Sequence, residues 1–183
     1  SRRKDLLFGE GDIAFYDLAA TMVRHISPQD TAGLPAKDFT EKGFLNTFNH
    51  VMAQSFMTSL FSRSLADFVG DVHERSHLPE LVSGRFTTKQ LLDVDDGPVD
   101  NYLDIINNEC GQELGQMLKS KYGINSYTHW TPELLRNYLN DIQAYHSWAF
   151  QIGFTPFRET DEMVIRFAAK INTVMGDVSK LEY

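Results

Sequence analysis

Apolar residues in this chain recur at every third or fourth position through long stretches, and no run of β-branched residues alternates with polar ones. A strand needs a period of two and a helix a period of 3.6, so the pattern directs the chain to an all-α fold. Ile13, Tyr16, Ala19, Ala20, Val23 and Ile26 mark a first helix, capped by Asp12 after a polar lead-in over 1–11 and stopped near Ser27 by Pro28. The stretch 29–37 carries Gly33 and Pro35 and reads as a loop. From about Thr40, the residues Phe44, Phe48, Val51, Met52, Phe56 and Leu60 mark a second helix. Ser64 and Asp67 form a capping-box pattern for a third, which runs to about His77.

Residues 78–97 contain Pro79, Gly84 and the acidic run Asp93, Asp95, Asp96. We expect a loop there, with at most one helical turn at 89–92, long enough to serve as a lid or rim. Pro98 suits a first helical position, and Gly123 closes a long helix. Its expected core face is Val99, Tyr102, Leu103, Ile106, Cys110, Leu114, Met117 and Leu118. A second, polar ridge on it runs through Asp100, Asp104, Asn107, Asn108, Gly111 and Gly115, with glycines where another helix can approach closely. Thr131, Pro132 and Glu133 start a helix that reaches about Gly153, and a last one runs from about Glu159 to Met175 with Gly176 after it. The expectation is one domain over 1–183, with about six helices in an orthogonal or bundle-like array.

At 183 residues, with 42% hydrophobic and 23% charged residues, the chain has the material for one packed core. Its 17 basic and 25 acidic residues give a net charge of -8, which makes nucleic acid a poor tight, non-specific partner. Cys110 is the only cysteine, so no intrachain disulfide forms. No apolar run has the length of a membrane span and no signal-peptide pattern opens the given sequence, so we expect a soluble chain.

The densest chemistry lies in residues 67–77, where Asp67, Asp71, His73, Glu74, Arg75 and His77 share one expected helix. His73-Glu74-Arg75-Ser76-His77 satisfies H-E-x-x-H and is similar to the zinc metallopeptidases. That likeness implies His73 and His77 as ligands, Glu74 as general base and Glu109 as third ligand. Gln112 and Glu113 depart from the later element of that family. Pro79 follows so closely that His77 falls in a final turn, and no strand is present to bind a peptide by strand addition.

The same stretch resembles the all-α zinc phospholipases C and single-strand nucleases, through Gly70-Asp71 and His77. The resemblance implies Asp71 and His77 as ligands, with Asp67 and Arg75 standing where the family has histidine and proline. Asp100 and Asp104 answer its later element, and acids in place of histidines favour magnesium or manganese over zinc. His50, His73-Glu74 and Asp104 on three successive helices also resemble the metal site of the HD phosphohydrolases. With Asn107, Asn108 and Gly111 added, the pattern looks like a helical domain found at the ends of bacterial toxin-like proteins.

Simpler roles stand beside these. His50 can be a hydrogen-bonded core histidine, Asn107 and Asn108 can cross-link helices, Arg75 can pair with Asp71 or Glu74, and His146 can be packing. The leading expectation is a metal-dependent hydrolase holding a divalent ion, zinc or a harder one. Its ligands come from His73, His77, Asp71 and Asp104 with His50 in reserve, Glu74 is its base, and Asn107 and Asn108 orient ligands or touch substrate. A small ester, a phosphoester ahead of a peptide, is the expected substrate. The rival is a non-enzymatic helical module that binds a partner protein.

Overall fold

Every long stretch with helical periodicity becomes a helix. The computed structural model describes residues 13–77, 80–93 and 98–179; it is 74% helical, and among these residues an isolated bridge between Ile26 and Phe154 is the only β pairing. The all-α expectation holds. In chain order the helices are α1 (Phe15–Arg24), α2 (Pro28–Thr31), α3 (Phe44–Leu60), α4 (Arg63–His77), α5 (Glu80–Ser83), α6 (Thr88–Leu92), α7 (Pro98–Tyr122), α8 (Pro132–Phe150) and α9 (Glu162–Ser179), with a 3₁₀ turn at Ala36–Phe39. The described residues group into two compact units, 13–49 with 122–179, and 50–121.

In the first unit, the Asp17 carboxylate accepts from the Ala14 N–H at 2.7 Å and starts α1. The expected cap, Asp12, lies outside the described residues, as does the lead-in. Phe15, Leu18, Met22, Leu135, Leu139, Val164, Phe167 and Ile171 form the core, with Trp130 and Tyr138 closing it. Phe44 and Phe48, one turn apart at the start of α3, join the same core beside Phe150. Thr131 accepts from the Leu134 N–H at 3.1 Å and caps α8 as its sequence implies.

Three boundaries differ from expectation in this unit. The expected loop 29–37 contains α2, because the Ser27 hydroxyl accepts from the Asp30 N–H and Pro28 fills the first helical position. α8 ends at Phe150 because Gln151 turns left-handed, at φ 55°, and 153–155 pairs in extended form with 25–27: Ser27 N donates to Gly153 O, and Thr155 N to His25 O. α9 runs through Gly176 to Ser179. A glycine inside a helix costs about 1 kcal/mol relative to alanine, too little to end one with a buried face at Phe167, Ile171 and Val174.

In the second unit, α4 begins at Arg63, about half a turn earlier than its capping-box pattern implies. Ser62, not Ser64, accepts the free N–H, from Leu65 at 3.1 Å. The segment after α4 holds the expected turn as α6, capped reciprocally by Thr87 and Gln90, and a further turn, α5, that had read as loop. The Gln90 amide donates to Glu80 at 2.9 Å, links the two turns and is the main cause of the lowered Glu80 pKa. Residues 78, 79 and 94–97 lie outside the described residues.

The main correction concerns α7. Leu114 and Leu118 are buried as expected, but Tyr102 is 63% exposed, Met117 is 67% exposed, and Leu103 and Ile106 also face out. The buried face is the polar ridge: Asp104, Asn108, Gly111, Gln112 and Gly115. The glycines decide this outcome. They let α7 approach α3 closely enough for the Ser55 and Ser59 hydroxyls to donate to the carbonyls of Gly111 and Gly115, each at 2.9 Å. A ridge without side chains admits a neighbouring backbone that Tyr102 or Leu103 would hold off.

Candidate metal centre

Three helices of the second unit each turn residues four apart toward one polar layer: His50 and Gln54 from α3, Gly70 and Glu74 from α4, and Asp104, Asn108 and Gln112 from α7. One helical turn separates the members of each set, so each faces in as a stripe. Gly70 brings α4 close to both amides, since a Cβ there would lie 2.9 Å from Gln54 Nε2 and 3.2 Å from Asn108 Nδ2. Gln112 Nε2 donates to Gln54 Oε1 at 3.2 Å and joins α7 to α3 below the layer's open end.

At that end stand His50, Glu74 and Asp104. One ligand atom from each lies within 4.8 Å of the others. His50 Nε2 is 3.4 Å from Asp104 Oδ1, and the two side chains are each 13% exposed. Glu74 is 3% exposed. His50 Nδ1 is 2.9 Å from Asn108 Oδ1. One imidazole nitrogen and two carboxylate oxygens form a mixed donor set of the kind that holds zinc, manganese or iron while leaving positions open for water or substrate. Donors bound to one ion at about 2.1 Å lie roughly 3 Å apart, a contraction within the reach of side-chain rotation.

The other expected ligands are placed differently. His73 is exposed, with its ring 6.5 Å from that of His50, so it stands at the rim of the cluster. Asp71 is exposed and holds Arg75 at 2.6 Å, the structural pairing already legible in the i, i+4 spacing. His77 ends α4, and its side chain lies outside the described residues. Asn107 is half-buried and Glu109 exposed, away from the buried stripe of α7. Glu74, expected as a base, takes a donor's position, and His50 moves from reserve to the centre. Gln54 carries no motif, and Gln112 and Gly70 enter the sequence reading only through the peptidase and phospholipase resemblances, although their spacing of four from His50, Asn108 and Glu74 is a usable signal.

No protein-family model, curated protein or solved structure matches the chain. Among the described residues, no helix is long and apolar enough to cross a membrane.

Proposed function

We propose that this chain is a metal-dependent hydrolase whose divalent ion is held by His50, Glu74 and Asp104. The observation that carries the reading is the convergence of these three donors, all within residues 50–121, from the three helices α3, α4 and α7. Burial adds to it: Glu74 is 3% exposed and the Asp104 side chain 13%, so an ion held between them would be largely withdrawn from water, where its attraction to carboxylates is strong. A bound divalent ion supplies Lewis acidity and a nucleophile active at neutral pH. The chain's own contribution is to orient His50 through the Asn108 amide and to offer His73 at the rim for proton exchange with a leaving group.

Phosphoesters suit the site better than peptides, because no strand among the described residues offers an edge for a peptide backbone. The peptidase alternative also needs His73 and His77 on one ion, and His73 is exposed at the rim. Titration of the metal-free chain with Mn²⁺, Zn²⁺ and Mg²⁺ by calorimetry, followed by hydrolysis of bis(p-nitrophenyl) phosphate, tests the reading. Binding and turnover that are both lost in His50→Ala and Asp104→Ala are expected, and no binding of any of the three ions would sink it. One observation favours a helical interaction module instead: Phe68 and Val72 on α4 and Tyr102 and Leu103 on α7 are exposed apolar residues.

A further inference from the structure

Resting on that metal reading, we infer that Asn108 is a positioning residue that holds the proton of His50 on Nδ1 and so reserves Nε2 for the cation. The Asn108 carbonyl oxygen can only accept, so the hydrogen in its 2.9 Å bond with Nδ1 belongs to the ring. A neutral imidazole has one N–H, and with that proton on Nδ1 the lone pair of Nε2 points into the cluster, 3.4 Å from Asp104 Oδ1. With the ring neutral, both atoms are acceptors, and a divalent cation placed between them would be held by both. The same helix carries Asp104 and Asn108 one turn apart, so ligand and orienter are set on one rigid element.

The direction of the Asn108 amide has its own cause. Its Nδ2 side lies toward α4, where Gly70 leaves space and a Cβ would come within 3.2 Å, and Oδ1 is thereby turned to α3 and His50. A flipped amide would present N–H groups to Nδ1, move the ring proton to Nε2 and aim that proton at Asp104. The result would be an ordinary histidine–aspartate hydrogen bond with no vacant ligand atom. The tautomer of His50 therefore separates a metal ligand from a structural ion pair.

The test is a long-range ¹H–¹⁵N correlation spectrum of the metal-free full chain at pH 8, assigned by loss of one ring in His50→Gln. The inference expects a protonated Nδ1 and an unprotonated Nε2 for His50; a proton on Nε2 overturns it, whatever the fate of any variant. Asn108→Leu, checked for folding by its melting curve, should shift the ring toward the Nε2–H form and weaken Mn²⁺ binding by about 10- to 100-fold. Asn108→Asp retains an acceptor and should keep the wild-type tautomer. Unchanged Mn²⁺ affinity in folded Asn108→Leu also overturns the inference. Absence of Mn²⁺ and Zn²⁺ binding in the wild type is a separate result that removes the metal reading, while the wild-type tautomer still judges the role of Asn108.

Discussion

Gly111 lies so close to Val51 that a Cβ built on it would stand 2.6 Å from the Val51 carbonyl oxygen. Gly115 repeats the relationship one turn later against Ser55, also at 2.6 Å. Real Cβ contacts do not reach such distances, and a backbone carbonyl cannot swing aside as a side-chain tip can. Gly111→Ala and Gly115→Ala should therefore each destabilise the chain by about 1–3 kcal/mol, despite the better helix propensity of alanine. Urea unfolding checks this, and a variant at or above wild-type stability contradicts the packing of α3 on α7.

These two glycines also explain what was and was not legible in the sequence. Helices were legible because their period of 3.6 needs no knowledge of neighbours, and Thr131 and Pro132 announced α8 by local chemistry alone. The buried face of α7 was not, because apolar count favours the Tyr102, Leu103 and Ile106 face, whereas close backbone approach favours the face with glycines. The polar stripe was visible as a pattern, but its burial depends on a partner helix 50 or more residues away in sequence. Likewise, the H-E-x-x-H spacing drew His73, Glu74 and His77 together, although on a helix adjacent residues point about 100° apart. That rotation buries Glu74 and leaves His73 exposed.

Removal of one donor should silence the response to metal. A ligand present at 100 times its Kd stabilises the folded state by about 2.7 kcal/mol, a rise readily seen in a melting curve. Glu74→Gln should abolish the rise given by Mn²⁺ or Zn²⁺ in the wild type. Asp71→Asn should leave it intact, because Asp71 is exposed and engaged with Arg75. If Asp71→Asn loses the response and Glu74→Gln keeps it, the assignment of ligands is reversed.

Asp30 joins α2 to the extended segment beyond α8 and should be sensitive to acid. Its carboxylate accepts from Ser27 Oγ at 2.6 Å and from the Gly153 N–H at 2.8 Å. The Ser27 hydrogen bond is the first cause of its lowered pKa, and the Gly153 N–H is the second. With the folded pKa below the ordinary 3.8, the contribution is present above that value and is lost as pH falls through the folded pKa. Asp30→Ala should speed hydrogen exchange at the Gly153 amide at neutral pH, and unchanged exchange there would remove Asp30 from this role.

His146 should make stability depend on pH. Its ring is fully buried against Phe48, at a centroid distance of 4.0 Å, and against Phe150 and Phe154, and neither ring nitrogen has a hydrogen-bond partner. Burial pushes its pKa down from 6.5 to about 3. The unfolded chain therefore takes up a proton near pH 6.5 that the folded chain refuses until about pH 3. Stability is full above pH 6.5 and falls by about 1.4 kcal/mol per unit as pH drops through that window. His146→Phe keeps a flat aromatic ring in an aromatic cage and removes the titrating group. At pH 5 it should gain about 2 kcal/mol over its own difference from wild type at pH 7.5, through proton linkage alone. Urea unfolding of both proteins at the two pH values measures this. Parallel pH profiles would mean that the His146 ring is protonated, or hydrated, inside the fold.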